Sequence, residues 1–156
     1  LKNYEMKYAH LIKLTVFSYE NEDSQPVLGA FLMFFPFNLQ ENKVDFRKTN
    51  ADGFNQSKIK IFEATLAKNN LISQFLKNLL NNLDESQKNI ILSQLGSRLD
   101  KNLDFFLRFD KSSWVNEKKL ILTDSGKCFH LKISIAAFPK KRVIALNAIN
   151  SLFYEK

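Results

Sequence analysis

One cysteine, Cys128, is the chain's entire thiol content, so an internal disulfide is excluded and a reducing compartment is expected. Histidine is nearly as scarce: with one cysteine, His10 and His130 offer no zinc-ligand spacing. Cys128 also lacks a neighbouring Cys–His signature of a nucleophile. The four glycines stand apart at 29, 53, 96 and 126, which leaves no Gly-rich loop to cradle a phosphate. No apolar run approaches the roughly 18–20 residues of a membrane helix. Leu1-Lys2-Asn3-Tyr4-Glu5 is not followed by the apolar stretch of a signal peptide, and the chain reads as cytoplasmic, with no membrane partner. Carboxylates do not cluster either. Asp104 and Asp110 point from one face of a strand but stand roughly 20 Å apart, too far to share a metal ion. Asp110 beside Lys111 and Arg98 beside Asp100 read as ion pairs that order turns. These gaps argue against an enzyme and call for no cofactor and no metal.

What is abundant is phenylalanine. Fifteen Phe within 45% apolar residues can build a real core in 156 residues, which read as one domain over 1–156. Lysine and arginine outnumber Asp and Glu by 23 to 16. Residues 1–100 nearly balance, with 12 basic and 11 acidic side chains, whereas residues 101–156 carry 11 against 5. A concentrated positive field attracts polyanions; the same charge can also serve solubility alone.

Period-two alternation marks a strand over Tyr8 to Tyr19, with Ile12, Leu14 and Val16 opposite Lys13, Thr15 and Phe17. A helix follows, with Pro26 early and Pro36 as its stop. Lys43–Lys48 reads as a short strand, Asn50-Ala51-Asp52-Gly53 as a turn, and Lys58–Leu66 as a strand with Ile59 and Ile61 inward and Lys60 and Phe62 outward. Leu71, Ile72, Phe75, Leu76, Leu79, Leu80 and Leu83 fall at helical spacing. Asp84 with Gln87 suggests a capped second helix that ends near Gly96. Leu103–Asp110 alternates as a strand. Lys118–Thr123 and Lys127–Ala137 flank Asp124-Ser125-Gly126 as a hairpin. Pro139 opens a last helix with Val143, Leu146, Ile149 and Phe153 inward. The order β-α-β-β-α-α-β-β-β-α predicts an α+β fold, a largely antiparallel mixed sheet with helices packed on one face.

The other face of that sheet then carries Lys13, Phe17, Lys60, Phe62, Phe106, Arg108, His130 and Lys132. Cations interleaved with aromatics suit RNA, which offers phosphates and unstacked bases. Two other arrangements stay open at this point. Phe17, Phe62 and Phe106 can pack against a second copy of the chain, or helices can cover both faces. Pro139-Lys140-Lys141-Arg142 adds three consecutive cations at a helix start, a phosphate site or a solvated charge run.

Leu107-Arg108-Phe109-Asp110-Lys111, Leu120-Ile121-Leu122 and Phe138-Pro139-Lys140-Lys141-Arg142 together resemble the archaeal RNA-binding family of predicted exosome subunits. Ser97-Arg98-Leu99-Asp100 is similar to that family's Arg-hydrophobic-Asp motif, and Asn21-Glu22-Asp23 to its Thr-Glu-Asp turn. Where members carry a Gly-His-x-Gly-Asn-like loop, this chain has Gly53-Phe54-Asn55-Gln56-Ser57, without the His and the second Gly. The resemblance implies a fold like that of the 5S-RNA-binding large-subunit ribosomal protein. It also implies RNA as a partner, with exosome or ribosome-related proteins nearby.

The expected activity is non-catalytic RNA binding through a C-terminal basic surface. Arg108, Lys111, Lys118, Lys119, Lys132, Lys140, Lys141 and Arg142 would neutralise phosphates, with Arg98 and His130 on the same surface. Phe106 or Trp114 would stack on a base, although a lone Trp more commonly plugs a core. The alternative is a homodimeric interaction module that docks through the aromatic sheet face.

Overall fold

The computed structural model describes residues 6–154, so the segment Leu1–Glu5 discussed above lies outside the described residues. Along the chain come β1 (Ala9–Tyr19), α1 (Ser24–Leu32), β2 (Asp45–Asp52), β3 (Lys58–Leu66), α2 (Asn69–Asn82) and α3 (Glu85–Ser93). They are followed by α4 (Leu95–Arg98), β4 (Asp104–Asp110), α5 (Lys111–Glu117), β5 (Cys128–Ile135) and α6 (Arg142–Tyr154). The strands form one antiparallel sheet in the order β2-β3-β1-β5-β4, and the α+β class is as the alternation predicts. Because neighbours run antiparallel, β1, β2 and β4 begin at the end of the sheet where β3 and β5 finish. That entry end holds Ala9, Asp104 and Ile135; the opposite end holds Tyr19, Asp110 and Cys128.

One face of the sheet is sealed. Ile12, Leu14, Val16, Phe105, Leu107, Phe109, Phe129, Leu131 and Ile133 are buried there beneath α1, α2, α5 and α6. Phe34, just past α1, anchors the core, its ring 5.2 to 6.3 Å from those of Phe75, Phe109, Trp114 and Phe129. Trp114 is 1% exposed and its Nε1 donates to Ala30 O at 2.8 Å, so it plugs the core and offers no ring to a ligand. Pro26 falls in the first turn of α1, where its missing N–H leaves no helical bond unmade, and Asp23 caps that helix through Gln25 N. Asp84 caps α3 in the same way, accepting from Gln87 N at 2.9 Å.

Several elements differ from the sequence expectation, each for a local reason. β2 runs through Asn50-Ala51-Asp52, and the turn is displaced to Gly53–Ser57. In β3 the faces are exchanged: Phe62, Ala64 and Leu66 enter the core, while Ile59 and Ile61 are half-exposed on the open side. Apolar residues on both faces made that parity ambiguous. Lys118–Thr123 is not a strand. Asp110 caps α5 through Ser113 N, Lys118 ends it in the left-handed region (φ 57°), and only an isolated bridge joins Leu122 to Phe109. β4 and β5 therefore pair directly across a longer connection than a hairpin. Gly96 lies inside α4 rather than ending a helix. α6 starts at Arg142, not Pro139, and turns Ala145, Ala148, Ile149, Leu152 and Phe153 inward, leaving Val143 exposed.

Candidate nucleic-acid interface

The uncovered face is read most directly along its rows. Arg108 on β4 stands opposite His130 on β5, which faces Thr15 on β1, then Glu63 on β3 and Arg47 on β2. The adjacent row runs Phe106, Lys132, Lys13, Thr65, Asp45. Directly opposed residues have Cβ atoms about 4.5–5.5 Å apart, so each row is a continuous strip of side chains. The strips are not uniform. In these two rows the cations stand mainly on β4, β5 and β1, while acids enter on β3 and β2; Asp104 and Asp110 flank Phe106 and Arg108 on β4. Glu63 marks the border, accepting from Thr15 Oγ1 at 3.0 Å and lying 3.6 Å from Lys13 Nζ.

Rings are set among these cations. Phe106 is 41% and Phe17 37% exposed. The Phe17 ring lies 6.4 Å from that of His130 and 6.4 Å from that of Tyr19. Burial, with Arg108 adding to it, pushes the His130 imidazolium below the ordinary histidine range. Its ring is therefore neutral at pH 7. His130 Nε2 sits 3.4 Å from Cys128 Sγ, and burial pushes that thiol up, so the pair is a contact between uncharged groups.

At the β4 edge the face deepens into a groove. The segment after α5 returns along β4, with Asp110 N donating to Ile121 O at 2.8 Å and Thr123 N to Arg108 O at 2.9 Å. That segment and α4 wall a cavity of about 350 Å³ lined by Gln94, Ser97, Arg98, Phe106, Arg108 and Asp124 among others. The Arg98 guanidinium is held in place by Gln94 Oε1, at 2.9 Å from Nε and 2.6 Å from Nη2. Burial weakens its hold on its proton; Asp124 opposes this and Arg108 reinforces it, and the group remains a cation.

Of the residues expected to bind RNA, the structure brings Arg98, Phe106, Arg108, His130 and Lys132 together on the open face and its groove, where Lys13 and Phe17 join them. It separates the others. Lys111 is 5% exposed, donating to Glu22 Oε1 at 2.6 Å and Phe17 O at 2.7 Å, so its charge is spent inside the molecule and reaches no phosphate. Its partner is Glu22, not the adjacent Asp110. Likewise Arg98 bonds Gln94, not Asp100. Lys118 and Lys119 follow α5 beyond the other end of the sheet, with Lys118 Nζ turned onto Val115 O and Lys119 near Asp84. Lys140 and Lys141 are exposed at the entry end. Arg142 donates to Leu99 O at 3.1 Å and Gly96 O at 2.7 Å, binding α6 to α4. The cations after residue 100 thus do not form one surface.

Two further carboxylates near β4 are spent within the fold, one in a turn and one across the β4–β5 pair. Asp100 accepts from the amides of Asn102 and Asp104, and Asp104 accepts from Ser134 Oγ. Among the described residues no three His, Cys, Asp or Glu gather as metal ligands. The Asn21-Glu22-Asp23 and Asp110-Lys111 segments meet in space. Lys111 joins the end of β1 to α5, lying 4.9 Å over the Tyr19 ring, with Lys127 Nζ at 4.6 Å from that ring. Of the residues absent from the expected binding set, Lys13 shares the parity of Phe17 in β1; Lys127 gave no signal beyond its charge.

A family model described as RNA binding matches residues 11–135. The chain is 26% identical over 142 residues to RNA-binding protein PAB1135 of Pyrococcus abyssi, an alignment spanning 90% of this chain and 91% of that protein. Among solved structures, protein AF2318 from Archaeglobus fulgidus is 26% identical and superposes with a TM-score of 0.79 over 92% of this chain and 99% of its own. A protein from Methanothermobacter thermautotrophicus, 23% identical, shares the fold with a TM-score of 0.75 over 94% and 98% of the two chains.

Proposed function

The chain belongs to the RNA-binding family, and from that premise we propose that it holds RNA on the β1–β5–β4 half of its open sheet face without acting on it chemically. One observation carries this reading: Arg108 and Lys132 alternate there with the half-exposed rings of Phe17, Phe106 and His130, with Lys13 at the border beside Glu63. The cations suit phosphates, and the rings suit bases freed from a helix. A neutral His130 supports stacking, because an uncharged imidazole gives up less hydration against a base. Phosphate contacts carry no sequence information, so binding is salt-sensitive and largely indifferent to sequence. The Pyrococcus relative is named for RNA binding, which agrees. An accessory role in RNA processing, at the exosome or beside ribosomal proteins, follows the resemblance drawn from the C-terminal motifs and is part of the same proposal.

Anisotropy titration of a labelled single-stranded RNA tests it. Replacing Arg108 and Lys132 by Gln should weaken binding about tenfold or more and flatten the log–log salt slope by about 1.4, at roughly 0.7 per phosphate contact on a single strand. Wild-type affinity and slope in that variant would remove this face from the account. The competing reading is a homodimer through Phe17 and Phe106, whose exposure favours it. It predicts a doubled mass by light scattering at high micromolar concentration, reversed by RNA.

A further inference from the structure

Phe138 is 98% exposed, the most exposed large apolar side chain among the described residues. It is nonetheless not on a loose loop. Ahead of it Ile135 N donates to Leu103 O at 3.0 Å and Ala136 N to Tyr8 O at 2.8 Å; after it Lys141 N donates to Pro139 O at 2.8 Å and Ala145 N to Lys141 O at 3.0 Å. The ring is thus presented on a short segment fixed at both ends, where little ordering entropy would be lost on contact. Lys140 and Lys141 stand exposed beside it, and neither enters an ion pair among the described residues.

We propose that Phe138, Lys140 and Lys141 form a second contact for the same RNA, Phe138 stacking on an unpaired base beyond the groove while the two lysines hold its flanking phosphates. This rests on RNA binding by the open face. Two observations single out RNA. The first is continuity: Arg142, next in the chain, donates to Gly96 O and Leu99 O of the segment whose Ser97, Arg98 and Leu99 line the groove. A strand leaving the groove across α4 therefore meets the tip. The second is a contrast within the molecule. Phe54, 89% exposed at the opposite end of the sheet, has its neighbour Lys58 already paired with Asp52 at 3.2 Å. An exposed ring by itself carries no charge complementarity to RNA; a ring with two unpaired cations does.

The test uses fluorescein-labelled oligouridylates of about 5 and about 15 nucleotides, within the range of known single-strand site sizes. Phe138→Ala should weaken the longer RNA about tenfold and leave the shorter one, which fills only the groove, unchanged; Phe138→Trp should restore the loss. Lys140→Gln with Lys141→Gln should flatten the salt slope for the longer RNA by about 1.4. Phe54→Ala should do nothing, and melting curves should coincide for all four variants. Wild-type affinity of Phe138→Ala for the longer RNA overturns the tip while leaving the open face standing. Failure of the wild-type protein to bind either RNA overturns the open face itself. Phosphatidylserine vesicles captured by wild type but not by Phe138→Ala, with RNA affinity unaltered, assign the tip to a membrane surface and overturn the proposal.

Discussion

Lys111 separates charge from function at the scale of one residue. In sequence it is a cation at the end of a strand, beside Asp110 and among the basic residues of the C-terminal third. Its partner, Glu22, is 89 positions away, and local spacing cannot reveal so distant a pair. Burial pushes the Glu22 carboxyl up, but Lys111, the Tyr19 amide and Lys127 pull it further down, to a value below its ordinary 4.5. A carboxyl with a depressed folded-state pKa contributes stability that is present above 4.5 and lost as pH falls through the lowered value. Lys111→Ala should therefore cost about 2 kcal/mol, the order of a lost hydrogen bond to a charged group, because Glu22 is only partly buried. It should also lower the melting temperature by roughly 4–8 °C and blunt the acid-side loss of stability. Below that melting point RNA affinity should be unchanged; a large loss would return Lys111 to the binding surface. By contrast, alternation alone placed Phe106, Arg108, His130 and Lys132, because in β4 and β5 the inward positions are consistently apolar.

At the scale of elements, legibility followed pattern contrast. β1, β4 and β5 alternate cleanly and kept their faces. β3 has Ile59 and Ile61 on one side and Phe62, Ala64 and Leu66 on the other, and with apolar residues on both the parity expected from sequence is the wrong one. Leu120-Ile121-Leu122 has no alternation at all, and it became an edge segment with a single bridge. α5 was invisible because seven residues give barely two turns of periodicity; its signal was Asp110, which receives Ser113 N as a cap. The turn between β2 and β3 carries its own constraint. A Cβ on Gly53 would lie 2.5 Å from Ile59 Cδ1 and 2.9 Å from Ser57 Oγ, and the following Asn55 and Gln56 both have positive φ. Gly53→Ala should destabilise the protein by about 1–2 kcal/mol through this overpacking, measured by urea unfolding, with RNA binding intact. An unchanged unfolding midpoint would show that Ile59 gives way without cost.

Across the whole molecule, the excess charge of residues 101–156 is divided three ways: some on the open face and its groove, some at the tip ahead of α6, some beyond α5 or inside. Composition registers only the sum, and a sum says nothing about direction. The proposed surface for RNA is made by the sheet, which sets β4, β5 and β1 side by side with helices on the reverse. That arrangement brings Lys13, distant in sequence, next to Lys132, and Phe17 next to His130.

The most direct measurement is the footprint of RNA on the backbone. In uniformly 15N-labelled protein titrated with oligouridylate, amide shifts should concentrate in β1, β4 and β5 around Thr15, Phe17, Phe106, Arg108, His130 and Lys132, and in Arg98. Perturbations confined to α1, α2 and α6 on the covered side, with those strand amides still, would contradict the account.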